Sequence, residues 1–192
     1  RGEEISAITR QYFAGLDGAA LLERWRQGFE RLVALLRGLD PKARLAWYGP
    51  SMGARSFVAA RLMEVWAHGQ DVWDTLRQRR PASHRLRYVA HLGATTFGWT
   101  FANRRLAVPA TVPRIELAAP DGSLWSWGEA DASDFVKGSA EDFCLVVTQR
   151  RHVDDTGLQY SAGLMRQWLE LAQCFAGPPA DGPAPGVRKI AD

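Results

Sequence analysis

Two residues four apart, Glu64 and His68, are the best placed in this sequence to do chemistry. In a helix, positions i and i+4 share a face about one turn apart, and Arg61 and Asp71 extend the same polar stripe. Around them Leu62, Met63, Val65, Trp66 and Ala67 are apolar, so the pattern predicts a helix buried on nearly every side. A carboxylate and an imidazole within buried surface must be paired, hydrogen-bonded or bound to a metal. Carboxylate oxygen plus imidazole nitrogen suits zinc and other divalent first-row ions. Spacing alone favours a self-satisfied Glu64–His68 or Glu64–Arg61 pair, because E-x-x-x-H recurs by chance in helices. Two ligands also fall short of the three that zinc usually takes from protein.

The remaining reactive side chains carry weaker signals. His91 sits among apolar neighbours on a predicted helix and reads as a hydrogen-bonded core histidine more readily than as a ligand. His84 falls near a helix start. His152 follows Arg150 and Arg151 and precedes Asp154 and Asp155. That cluster could receive an anionic substrate, although basic residues at a helix C-terminus also serve the helix dipole. Cys144 and Cys174 lie in apolar surroundings and read as packing residues, too few for a disulfide framework and without C-x-x-C spacing. Gly-x-Ser-x-Gly, Gly-x-Gly-x-x-Gly and Gly-Lys-Ser/Thr do not occur, which removes the common nucleophile-elbow and phosphate-loop chemistries. Trp125 and Trp127 alternate on a predicted strand and share a face, where core is favoured over the floor of a pocket.

The elements that position these groups follow from periodicity and punctuation. Helices are expected over Glu3 to Phe13, from the N-cap Asp17 to Gly38, from a Ser56 cap to about Arg79, and from about Ser83 to Arg104. Leu45 to Arg55 reads as a loop. Arg114 to Ala118 and Leu124 to Trp127 read as a hairpin around Pro120-Asp121-Gly122, with a further short strand at Asp134 to Lys137. A Ser139-capped helix to Arg150 and a last helix from Met165 to Phe175 follow, and the Pro- and Gly-rich end, 178–192, is expected as a flexible tail. A boundary is expected near residue 108, between a helical part, 1–108, and an α+β part, 109–177.

Composition narrows the class. The 192 residues hold 46% hydrophobic and 23% charged side chains, which excludes a disordered chain. The net charge of +3 comes almost wholly from arginine, interleaved with acids, and gives no basic stripe for nucleic acid. The five arginines from Arg77 to Arg87 read as a solvated helix end. No signal pattern opens the chain and no run of 18 apolar residues occurs, so a cytoplasmic protein with no membrane partner is expected.

The stretch Ala60 to Val72 resembles the metal-ligand helix of the mycothiol-dependent maleylpyruvate isomerase family, within the wider DinB-like metal-binding superfamily. Leu86 to Gly93, Ala119 to Gly122 with Trp125 to Gly128, Asp142 to Cys144 with Thr148 to His152, and Ala172-Gln173 with Phe175 to Pro179 are similar to an uncharacterised actinobacterial subgroup, whose members are sometimes labelled with a wyosine-base-formation domain. The resemblance implies a DinB-like four-helix bundle, incomplete at its N-terminus, followed by a small α+β sterol-carrier-like domain. It implies a divalent metal, usually zinc, with Glu64 and His68 as ligands, in place of the self-satisfied pair that spacing favours. Arg61, Asp71 and His91 would support the ligands or line the pocket, and Arg150 or Arg151 would hold an anionic substrate.

In that family the metal binds the thiolate of mycothiol, and metal coordination lowers a thiol's pKa. Such a thiolate adds to a cis double bond, the single bond rotates, and elimination gives the trans isomer. The implied activity is a metal- and thiol-dependent isomerase or S-transferase acting on a small anionic or electrophilic substrate, with a homodimer left open. Family members also carry a Trp-Thr-Val-x-x-Gln-x-x-His-Leu type segment supplying a further histidine. No segment here matches it, and the first residue is Arg1, so an N-terminal truncation is expected. Two other functions stand beside this one. A non-catalytic carrier of apolar ligands is motivated by Trp125, Trp127 and the aromatics of the third long helix, and a wyosine-related tRNA protein is argued against by the interleaved charge.

Overall fold

The computed structural model describes residues 2–46 and 51–188. They form seven α-helices and two small sheets, a mixed α/β chain, divided into two units, Arg1–Ala43 and Arg44–Asp192. The division lies well before the expected boundary near residue 108, because one apolar core runs from Met63 through Cys174 without interruption.

The first unit holds α1 (Gly2–Tyr12) and α2 (Gly18–Arg37). Asp17 caps α2 as expected, its carboxylate accepting the Ala20 N–H at 2.8 Å. The predicted apolar stripe of α2 is real in spacing, yet no residue of α2 is buried. Trp25 and Phe29 stack on each other at 5.7 Å while both stay exposed.

The second unit opens with β1 (Arg44–Leu45) and β2 (Met52–Gly53), a two-residue antiparallel ladder where a loop from Leu45 to Arg55 is expected; residues 47–50 of that loop lie outside the described residues. The long helix α3 (Ala54–Thr75) starts two residues before Ser56, with Gly53 as its N-cap, and ends four residues before Arg79. Its buried stripe is Ala60, Met63, Ala67 and Gln70, joined by Trp66. Val58, Val65 and Val72, spaced seven apart, are exposed. A helix apolar nearly all round is thus buried along one stripe only.

The expected helix from Ser83 to Arg104 is two helices, α4 (Leu86–Thr95) and α5 (Phe97–Asn103). The Thr95 and Thr96 hydroxyls donate to carbonyls of the preceding turn, Thr95 to His91 at 2.8 Å and Thr96 to Leu92 at 2.7 Å, a bond type that bends helices.

A four-stranded sheet follows, in the order β4 (Leu124–Trp127), β3 (Arg114–Ala118), β5 (Phe135–Ser139), β6 (Gln159–Tyr160). β3 and β5 run parallel and the outer pairs antiparallel, with Leu117 opposite Trp125 and Ile115 opposite Val136. The hairpin and the short third strand are where the sequence pattern puts them. Helix α6 (Ala140–Val147) is capped by Ser139 as expected, the hydroxyl accepting the Asp142 N–H at 2.9 Å. It is the central element: Phe143, Cys144, Leu145, Val146 and Val147 are all buried. Helix α7 (Leu164–Leu171) closes the core, Trp168 meeting Phe97 edge-on at 5.0 Å. It stops short of Phe175 because Ala172 turns extended.

Residues 178–188, expected as flexible tail, are held against this body. The Ala180 carbonyl accepts from Gln149 Nε2 at 2.6 Å, the Gly186 N–H donates to the Asp155 carboxylate, and Arg188 reaches α3. Glycine and proline leave few side chains to pack, and backbone carbonyls and one arginine supply the attachment instead. Among the described residues no helix is long and apolar enough to cross a membrane.

Helix α4 passes close to α6 at Gly93. A Cβ there would lie 2.8 Å from Val147 and 2.9 Å from Phe143, both buried side chains with no room to retreat. Gly93→Ala is expected to lower unfolding stability by about 1–3 kcal/mol in a urea titration, against the small gain that Gly→Ala gives in an open helix.

Candidate functional site

Glu64, His68 and Asp71 come from three successive positions along one face of α3, and the structure brings them together. His68 Nε2 lies 3.5 Å from Glu64 Oε2, and His68 Nδ1 lies 3.3 Å from Asp71 Oδ2. The imidazole is 72% exposed and the Glu64 side chain 31%, so the pair opens to solvent and is not sealed in the core. Arg61 is exposed and makes no hydrogen bond or ion pair with the described residues, so the Glu64–Arg61 pairing does not form.

Of the two arginines singled out after α6, only one reaches this pair. Helix α6 ends at Val147, short of the expected Arg150, because Gln149 takes a left-handed conformation (φ 60°), and the Arg150 N–H reaches back to the Leu145 carbonyl at 2.7 Å. This reversal throws both guanidinium groups toward α3. Arg150 binds the Asp71 carboxylate through Nε at 3.2 Å and through a terminal nitrogen at 2.9 Å, and a terminal nitrogen lies 3.4 Å from His68 Nδ1. Arg150 also donates to the Ala67 and Thr148 carbonyls. Arg151 is buried and grips the Asp74 carboxylate with two bonds of 2.7 Å. Arg188 joins from the C-terminal segment, bonding Asp71 at 2.7 Å and Asp74 at 2.8 Å.

Asp74, Arg188 and Gln70, which donates to Asp74 at 2.9 Å, are participants that the sequence pattern did not single out. A signal for Asp74 exists: it follows Asp71 by three and Gln70 by four, on the continuation of the polar stripe. Nothing in the spacing of Arg188 points back to α3.

Charge and solvation set the ionisation of these acids. Burial by itself would raise the Asp74 carboxyl, but hydrogen bonds from Arg151, Gln70 and Arg188 outweigh it and bring the group from 3.8 to about 2. Asp71 is likewise lowered, burial being outweighed by Arg150 and Arg188. The two cysteines go the other way: burial pushes the Cys144 thiol well above its ordinary value and Cys174 up to about 12. Neither is a nucleophile at neutral pH.

His91 is not part of this constellation. It accepts the Trp127 indole N–H on Nδ1 at 3.2 Å, in a separate depression over the sheet. His152 caps the 3-10 turn Val153–Asp155 and pairs with Asp154 at 3.4 Å, while Asp154 is also bound by Arg166. Those are local structural roles.

As a metal site the arrangement is half of one. Glu64 Oε2 and His68 Nε2 converge as a donor pair, and Asp71 Oδ2 and an Arg150 terminal nitrogen both approach the other ring nitrogen of His68, the place of a group that orients a ligating imidazole. No group of three or more His, Cys, Asp or Glu side chains able to hold an ion forms among the described residues.

With this geometry in view, residues 11–73 match the family described as the mycothiol maleylpyruvate isomerase N-terminal domain. Glu64, His68 and Asp71 lie within the match. The match spans 63 of the 192 residues. It is also 46% identical, over 169 residues, to uncharacterised proteins of two Mycobacterium tuberculosis strains, CDC 1551 / Oshkosh and H37Rv. The match covers 88% of this chain and 66% of each relative, so the chain spans just under two thirds of their length. No solved structure matches it significantly. That family is, in general, metal-binding and associated with mycothiol.

Asp74 contributes stability while ionised and bound to Arg151. Because its folded pKa is depressed, that contribution is complete above about pH 4 and is lost as the pH falls toward 2. Denaturant titrations between pH 5 and 2 are expected to show this fall. Asp74→Asn is expected to flatten it and to cost about 3 kcal/mol at pH 7 by stranding buried Arg151.

Proposed function

We propose that Glu64 and His68 are two ligands of a divalent metal centre, most consistent with zinc, in an enzyme that uses a low-molecular-weight thiol such as mycothiol for isomerisation or S-transfer on a small anionic or electrophilic substrate. One observation carries this reading: the donor pair faces solvent, and a carboxylate is already in place on the second ring nitrogen of His68. A purely structural pair would have no need of that exposure. The family match over residues 11–73 supports the same chemistry.

A metal held here would supply a thiolate at neutral pH by lowering the thiol's pKa. The chain's own residues do the rest. Asp71 orients His68, and Arg150 holds Asp71 in turn through two bonds. The substrate-holding role falls to Arg150 and not to Arg151, because the Arg151 guanidinium is buried and committed to Asp74, whereas Arg150 stands beside His68. Since both cysteine thiols are buried, the reactive sulfur comes from a cofactor.

Zinc titration of the native protein by calorimetry tests the centre. Glu64→Ala and His68→Ala are expected to abolish stoichiometric binding, Asp71→Asn to weaken it by about tenfold or more, and Arg61→Ala to leave it unchanged. Full zinc occupancy in His68→Ala would overturn the assignment. Thiol-dependent turnover of a small unsaturated dicarboxylate, lost in the same variants, is the expected activity.

A further inference from the structure

A second site lies away from the α3 pair, on the far side of α4. His84, Arg87, Tyr88 and His91 recur at spacings of three, four and seven and so line one face of that helix and the turn before it. Opposite them stand Trp125 and Trp127, alternate residues on one face of β4. Between these two walls is an open depression of about 600 Å³, within the range of small-molecule sites.

We propose that this depression binds a small planar aromatic anion. The walls supply flat apolar surface: Trp125 forms the buried floor, with the His84 ring 6.0 Å from it, and Trp127 and the exposed Tyr88 stand at the sides. Charge supplies the second element. Arg85 and Arg87 both line the depression and neither forms an ion pair with the described residues; the Arg87 guanidinium lies 6.0 Å over the Trp125 ring. Asp121, which His84 meets at 3.4 Å, is engaged further by the Ser123 N–H and hydroxyl at 3.0 and 2.7 Å. The site therefore presents unspent positive charge above an aromatic floor.

Its polar groups also point to an acceptor-rich ligand. The indole N–H of Trp127 donates to His91 Nδ1, so the ring proton of His91 sits on Nε2 and remains available to donate. With the Tyr88 hydroxyl and the two arginine forks, the donors outnumber the acceptors. A flat ring stacks on indole, and a carboxylate or phosphate on that ring takes an arginine fork. This inference stands independently of the metal reading, since the two sites share no residue.

Calorimetric titration of the protein with 2-naphthoate, 2-naphthyl phosphate, neutral 2-naphthol and cyclohexanecarboxylate separates the elements. The two naphthyl anions are expected to saturate one site in the roughly millimolar range or tighter, and whichever binds tighter identifies the preferred anionic group. Naphthol and the non-aromatic carboxylate are expected to bind at least about threefold more weakly. Arg87→Gln, at an exposed position that does not threaten folding, is expected to weaken the anions by about three- to fivefold and leave naphthol unchanged. Equal affinity for anion and neutral analogue, no effect of Arg87→Gln, or no saturable binding of either naphthyl anion would overturn the proposal.

Discussion

Arg151 is a guanidinium with almost no access to water, and it is tolerable in the fold only because Asp74 receives it through two short bonds. Much of the second unit is arranged around that requirement. It fixes the C-terminal turn of α6 against the last turns of α3, and with them the position of Arg150, which cannot move independently of its neighbour. Arg150 then reaches Asp71, and Asp71 reaches His68. The orientation of an exposed imidazole is set in this way by a buried ion pair further along the stripe. Arg188 spans both acids and closes the network from the C-terminal segment.

This chain of contacts puts residues of the same type in different surroundings. Asp74 and Arg151 are spent on each other, while Asp71 and Arg150 are partly exposed and face the donor pair. Placing two acids three residues apart on α3 and two arginines side by side after α6 is enough to generate both, because the left-handed turn at Gln149 presents the arginines to successive acids. The turn, more than either helix, decides which arginine is structural.

Where local rules govern, the sequence was readable. Asp17 and Ser139 are side-chain caps whose geometry follows from residue type, and the Pro-Asp-Gly turn announces its hairpin. The E-x-x-x-H pair was legible as a constellation, although not as a site: spacing favoured a closed pair, and only the resemblance argued for metal. What stayed hidden depends on contacts distant in sequence. The break at Thr96 comes from two adjacent hydroxyls competing for carbonyls, a choice that periodicity does not register. The burial of one stripe of α3 in preference to its valine face depends on what α4 offers it. The choice between Arg150 and Arg151 depends on a backbone reversal, and Arg188 is brought to α3 by a Pro- and Gly-rich segment whose composition suggested no attachment at all.

The tight passage of α4 over α6 at Gly93 has a meaning beyond packing. The same helix that lies locked against Phe143 and Val147 on one side carries Arg87, Tyr88 and His91 on the other. A wall that cannot yield loses little freedom when something comes to rest on it. Whatever binds over the sheet therefore meets a surface already in its final form, and discrimination there falls to the ends of a few exposed side chains.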